Sequence, residues 1–173
     1  MKISTTRFGE LDIEDTKVIT MPDGMLGFRG KRYLLLDPDK DSPFSWLQSM
    51  DNPGLAFVVI DPLRFFPDYR VKLTADEYQK LLLEEGDDMV LLTVVTMARE
   101  PEMITVNLQG PVVVNPARMT ARQIVLEGNY TPRHPLFTPL DPPTSGRSQT
   151  GPASTPLVEV PSISSGVKMP NRS

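Results

Sequence analysis

Proline and glycine cut this chain into apolar runs too short for helices, and that punctuation restricts the fold more than any other feature. Residues 3–7 and 11–13 flank a Phe8-Gly9-Glu10 turn, and Val18-Ile19-Thr20-Met21 stops at Pro22-Asp23-Gly24. Residues 33–36 end at Asp37-Pro38, and 44–49 partly alternate before Asn52-Pro53-Gly54. Residues 55–60 are almost wholly apolar, as a strand covered on both faces should be, and stop at Asp61-Pro62. Each run is short and bounded by a turn.

One segment reads differently. Thr74-Ala75-Asp76-Glu77 is a capping box, in which each end side chain bonds the other residue's free N–H. Ala75, Tyr78, Leu81 and Leu82 follow at helical spacing, and Gly86 is the expected stop. Strands then resume. Residues 89–97 are enriched in Val, Leu and Thr, and 103–108 place Ile104, Val106 and Leu108 on one face. Gly110-Pro111 marks a corner before Val112-Val113-Val114, and 123–126 form the expected last strand. Many short strands with one short helix predict a mainly β fold, a small antiparallel β-barrel-like domain.

The body is expected to span residues 1–140. From 141 to 173 there are six Pro, three Gly and seven Ser, while Leu, Ile and Val together number five. So little apolar surface does not offset an ordering cost of about 1 kcal/mol or more per residue, so this segment is expected to be a disordered tail. Residues 1–131 carry 14 basic and 20 acidic side chains, a balance of −6. That excess argues against direct nucleic-acid binding, where phosphates demand cations. No apolar stretch is long enough to cross a membrane, and the start of the chain lacks the apolar core of a signal peptide, so a cytoplasmic location is expected.

Catalytic parts are scarce. There is no cysteine, and His134 is the only histidine. Asp37-Pro38-Asp39-Lys40-Asp41 has the spacing of a calcium loop, but Ser42 and Gln48 stand where the loop needs Gly and a bidentate Glu. Asp12, Glu14 and Asp15 have no second acidic pair to work with. The glycines at 24, 27 and 30 do not form a dinucleotide fingerprint. No cofactor, no metal and no enzymatic activity are expected. Recognition is better served: Asp61-Pro62-Leu63-Arg64-Phe65-Phe66-Pro67-Asp68-Tyr69 gathers three aromatics in a proline-punctuated loop, either as a docking surface or as a plug for the barrel end. A small-molecule-binding β-barrel is the competing class, although the assignable inward positions are plain hydrocarbon.

Several ordered motifs then resemble one family. Phe8-Gly9-Glu10-Leu11-Asp12-Ile13, Gly24-Met25-Leu26-Gly27-Phe28, Pro43-Phe44-Ser45-Trp46-Leu47-Gln48-Ser49 and Phe57-Val58-Val59-Ile60-Asp61-Pro62 come first. Phe65-Phe66-Pro67-Asp68-Tyr69, Asn107-Leu108-Gln109-Gly110-Pro111, Gln123-Ile124-Val125-Leu126, Asn129-Tyr130 and His134-Pro135-Leu136 follow. Together, across roughly 3–137, they are similar to the FliW flagellar assembly factor family. Leu26 stands where the family usually has Pro, and the tail is longer than usual. The resemblance implies a β-barrel-like protein that binds new flagellin in the cytoplasm. It also implies binding to CsrA, a dimeric RNA-binding translational repressor for which flagellin competes. The residues set against a partner are Asp61, Phe65, Phe66, Asp68 and Tyr69 of the aromatic loop, with Asn107 from its own motif.

Overall fold

The computed structural model describes residues 1–137; the expected tail, 141–173, and the last three residues of the expected body lie outside the described residues. β1 (Lys2–Thr5) and β2 (Gly9–Asp12) form an antiparallel hairpin, with Ile3 opposite Leu11. One sheet holds β3 (Ile19–Thr20), β4 (Arg32–Leu36), β5 (Ser45–Ser49), β6 (Ala56–Ile60) and β7 (Val90–Thr96). It continues through β8 (Thr105–Val106), β9 (Val112–Asn115), β10 (Thr120–Gln123) and β11 (His134–Pro135).

The sheet closes because β7 forks. Its first half opposes β9, Leu91 facing Val113, while Val95 and Thr96 oppose Val106 and Thr105 of β8. The path β7-β6-β5-β4-β3-β10-β9 therefore returns to β7, a seven-stranded barrel. Every pairing around it is antiparallel except β10 with β3, which run parallel where Thr120 meets Thr20. Closure removes the sheet edges that an open arrangement would leave unpaired.

Alternation along the strands sorts the apolar residues into separate cores. Ile19, Tyr33, Leu35, Leu47, Val59, Leu92, Val112, Val114 and Ala121 fill the barrel interior. The intervening residues point outward. Leu34 and Leu36 are covered by Leu11 and Ile13 of the β1–β2 hairpin, with Phe8 packed edge-on against Trp46 at 5.7 Å. Leu91, Val95 and Val113 are covered by the segment between β6 and β7 and by the chain after β10. So 55–60 and 89–97 read as nearly continuous apolar runs because both faces of these strands meet hydrocarbon.

The helix, α1 (Ala75–Lys80), starts as expected. Thr74 Oγ1 accepts from the Glu77 N–H at 3.2 Å, and Glu77 Oε2 accepts from the Thr74 N–H at 2.8 Å. It ends before Gly86. Leu82 takes the left-handed conformation at φ 57°, and the Leu83 N–H reaches back to the Tyr78 carbonyl at 2.9 Å. This ending folds Leu81 and Leu83 into the outer core, and the Asn115 side-chain amide holds it by donating to the Leu81 and Leu82 carbonyls.

Other boundaries shift as well. The segment expected as a strand over 103–108 begins in a single turn of 3₁₀ helix, Pro101–Met103, and only Thr105–Val106 forms ladder pairs. Ile104, Val106 and Leu108, expected to face the barrel interior, are buried together in the outer core instead, because this segment pairs outside the closed ring. The last barrel strand lies at Thr120–Gln123 rather than 123–126. Ala121, with almost no side chain, fits the crowded barrel interior opposite Val114. Ile124 and Leu126 follow as a backbone-bonded extension, donating to Pro111 and Gln109. The two-residue β11 was not expected; Pro135 is tolerated there because the strand lies at a sheet edge.

Candidate functional site

The aromatic loop is built by a short turn and held from beneath. Asp61 caps a 3₁₀ helix, Pro62–Arg64, by accepting the Leu63 N–H at 2.9 Å. Burial pushes the Asp61 carboxyl above its ordinary range, against the opposing pull of that N–H and of Arg64. Proline at the first helical position costs no hydrogen bond, since that N–H has no acceptor in a helix anyway. Phe66 and Tyr69 then close the turn through their backbones, Tyr69 N–H to the Phe66 carbonyl at 2.9 Å.

The three aromatics separate. Tyr69 is only 3% exposed and its hydroxyl donates to the Leu108 carbonyl at 2.6 Å. Burial, with a smaller contribution from Tyr130, raises its phenol well above the usual value. The Tyr130 ring meets it edge-on at 4.8 Å, and the Tyr130 hydroxyl accepts the Arg70 N–H. The expectation of Tyr69 as a surface contact is therefore corrected: a phenol whose only partner is a buried carbonyl must turn inward. Asn107 is likewise a turn former. Its Oδ1 accepts from Gln109 and Gly110, and its amide sits against the side where a Gly110 Cβ would project.

Phe65 and Phe66 are half-buried and Asp68 is exposed. Phe66 meets the His134 ring edge-on at 5.1 Å, and Phe65 meets Phe137 at 6.0 Å. The Leu136 N–H bonds the Ile104 carbonyl, which brings Phe137 beside Met103, 62% exposed. The structure thus assembles Phe65, Phe66, His134, Phe137 and Met103 into one apolar and aromatic surface. Phe65 and Phe66 neither plug the barrel end nor stand free; one side rests on the outer core and the other faces out. His134, Phe137 and Met103 were absent from the expected site. Only the short β8–β11 pairing brings them to the loop, and nothing in the local sequence announces that pairing.

The calcium-like loop is a turn. Asp39 accepts the Asp41 N–H and Asp37 takes the Ser45 hydroxyl, leaving those carboxylates engaged locally. Among the described residues no group of His, Cys, Asp or Glu is arranged to hold a metal ion, and no helix is long and apolar enough to cross a membrane.

The family described as FliW protein matches residues 2–136. The chain belongs to the FliW family. A flagellar assembly factor FliW of Geobacter sulfurreducens is 59% identical over 138 residues, 79% of this chain and 87% of that one. Another, from Geotalea uraniireducens, is 57% identical over 152 residues, 87% of this chain and 90% of that one. A crystal structure of a flagellar assembly factor FliW superposes with a TM-score of 0.74 at 33% identity, covering 80% of this chain and 98% of that one. One FliW-family departure now has a structural partner. Leu26 donates its N–H to Gln123 Oε1 at 2.9 Å, a bond that a proline at this position could not make. The turn around it still needs glycine: Gly27 has φ 88°, and at Gly24, φ 70°, a Cβ would lie 2.9 Å from the Phe28 carbonyl oxygen.

Proposed function

We propose that this FliW-family chain is a flagellar assembly factor that binds flagellin in the cytoplasm and antagonises the repressor CsrA, so that flagellin synthesis follows filament assembly. The observation that carries the reading is 59% identity to a flagellar assembly factor across nearly the whole described body. The surface of Phe65, Phe66, Phe137 and Met103 supports a role in recognition. It joins aromatic anchors, rich in contact area at low entropic cost, to a flexible thioether that adapts to its partner. A flagellin segment docks there, with Asp61 and Asp68 at its margin.

Against CsrA the acidic body matters. Residues 1–131 carry a balance of −6, and Glu84, Glu85, Asp87 and Asp88 are all exposed in one loop. Docked beside an RNA path, such a surface repels phosphates without occupying the RNA site, provided the acids lie within about 8 Å at physiological ionic strength. The barrel gives the small-molecule reading nothing to work with, because its interior is filled by the side chains named above.

The test is a competition experiment with purified flagellin, CsrA and the full chain. Flagellin and CsrA each form a complex, and added flagellin releases CsrA together with its hold on messenger RNA. Alanine at Phe65 and Phe66 weakens flagellin capture by kcal/mol amounts while circular dichroism stays unchanged. If neither protein is retained by the folded chain, the proposal is wrong.

A further inference from the structure

A cleft of about 610 Å³ opens between residues 28–32 and the β5–β6 hairpin turn, and it includes none of the residues of the aromatic surface. Its apolar part is Phe28, 43% exposed and braced edge-on by Phe57 at 5.0 Å, together with Leu55. Its polar part is Arg29, Lys31, Arg32 and Asp51. The volume suits a side chain or two of a ligand rather than water alone.

The charges are not balanced within the cleft. Asp51 is spent on its neighbours: Oδ2 accepts the Lys31 and Arg32 N–H groups at 2.8 and 3.0 Å, and Oδ1 accepts the Arg32 Nε and Nη2 at 3.1 and 2.7 Å. Arg32 is thereby neutralised. Among the described residues, neither Arg29 nor Lys31 has a carboxylate within ion-pair distance. Two uncompensated cations beside an exposed aromatic ring thus sit on a body that is otherwise strongly acidic.

We propose that this cleft binds an acidic peptide segment of a partner protein, with an aromatic or aliphatic side chain against Phe28 and Leu55 and flanking carboxylates on Arg29 and Lys31. Charge selects this occupant. The chain's own segment 141–173 carries only Asp141 and Glu159 against Arg147, Lys168 and Arg172, with no paired acids to offer, and a nucleic acid needs a longer run of cations than these two. Arginine at position 29 offers a planar fork matched to a carboxylate, and Gly30, where a Cβ would lie 3.2 Å from Ser49 Oγ, lets the chain between the two cations pass close to Ser49 and Asp51.

The probe is a blocked pentapeptide, phenylalanine between paired glutamates, titrated into the ¹⁵N-labelled full chain. Amide shifts are expected at 28–32 and 51–55, with affinity falling as salt is added. Arg29→Glu with Lys31→Glu should cost about tenfold or more in affinity, and Phe28→Ala a similar factor, whereas Arg118→Glu, an exposed cation elsewhere, should leave it unchanged. A lysine-for-glutamate peptide should not bind. Shifts scattered over the surface, an affinity indifferent to the double reversal, or a concentration-dependent dimer that the reversal dissolves would each overturn the proposal. Because flagellin capture is measured separately at Phe65 and Phe66, failure here leaves that reading standing.

Discussion

Replacing Tyr69 by phenylalanine removes one oxygen and nothing else, so it isolates what pins the aromatic loop. The ring keeps its edge-on contact with Tyr130 at 4.8 Å and its place in the outer core. The hydrogen bond to the Leu108 carbonyl at 2.6 Å is lost, and that carbonyl belongs to a residue only 3% exposed. A typical internal hydrogen bond contributes about 1 kcal/mol net, and stranding a buried acceptor raises the loss to about 1–3 kcal/mol. For a chain of this size each kcal/mol moves the melting point by roughly 2–4 °C, so Tyr69→Phe should melt roughly 2–12 °C lower. The single tryptophan, Trp46, lies under the Arg7 guanidinium at 4.4 Å and gives a convenient signal for urea titration. The midpoint should fall with an unchanged slope. Flagellin capture by the folded variant should weaken less than that of Phe65→Ala, since the ring and its contact with Tyr130 remain. An unmoved midpoint would mean that the phenol is not bonded to Leu108, and the inward placement of Tyr69 would have to be given up.

Two aspartates should respond to pH with opposite sign. Burial alone would raise Asp51, but the Lys31 and Arg32 bonds outweigh it and hold the carboxyl below its ordinary 3.8. Its contribution is therefore present above that value and lost as pH falls through the folded pKa, so Asp51→Asn should destabilise near neutrality and cost little in strong acid. Asp61 is raised by burial, so its native state favours the proton and stability declines as pH climbs through the folded pKa. Asp61→Asn should be neutral or stabilising at neutral pH, and the difference should vanish in acid; urea midpoints across pH check both. Tyr33→Phe should leave stability unchanged or raise it by about 1 kcal/mol, since the buried Tyr33 hydroxyl has no partner among the described residues. Leu82→Gly should stabilise by about 1 kcal/mol, because Leu82 is 55% exposed and held at φ 57°, where a side chain is strained. Thermal melts of the two variants decide.

The fold was legible in the sequence where local chemistry dictates it. The Thr74–Glu77 box started a helix, Asn52-Pro53-Gly54 turned a hairpin, and alternation at 103–108 gave the buried face of Ile104, Val106 and Leu108. Closure was not legible in detail. It depends on β7 pairing with β9 at one end and β8 at the other, and on one parallel contact between Thr20 and Thr120. Those are long-range choices that no local pattern encodes. The apolar run 123–126 outweighs Thr120 and Ala121 in the local pattern, although the small Ala121 suits the barrel interior better than its β propensity suggests.

At the candidate site, residue type alone could not say which aromatic faces out. Phe65, Phe66 and Tyr69 look equivalent in sequence, yet only Tyr69 carries a hydroxyl, and the Leu108 carbonyl lies within its reach. Burying that phenol leaves no unmet donor, while burying Phe65 and Phe66 further would require the loop to pass beneath the outer core. The two phenylalanines instead share their area between that core and the strand carrying His134 and Phe137. A surface assembled in this way is anchored on one side and open on the other. Such an arrangement lets a partner bind without first ordering the loop, so the loop-ordering part of the entropic cost of association is largely met in the free protein. It follows that loosening the anchor should weaken flagellin capture without altering Phe65 or Phe66 themselves. Tyr130→Ala, which removes the ring against Tyr69 and the acceptor for Arg70, should lower affinity chiefly through a less favourable binding entropy, measured by calorimetry on the folded variant. An unchanged entropy with unchanged affinity would show that the loop needs no such support.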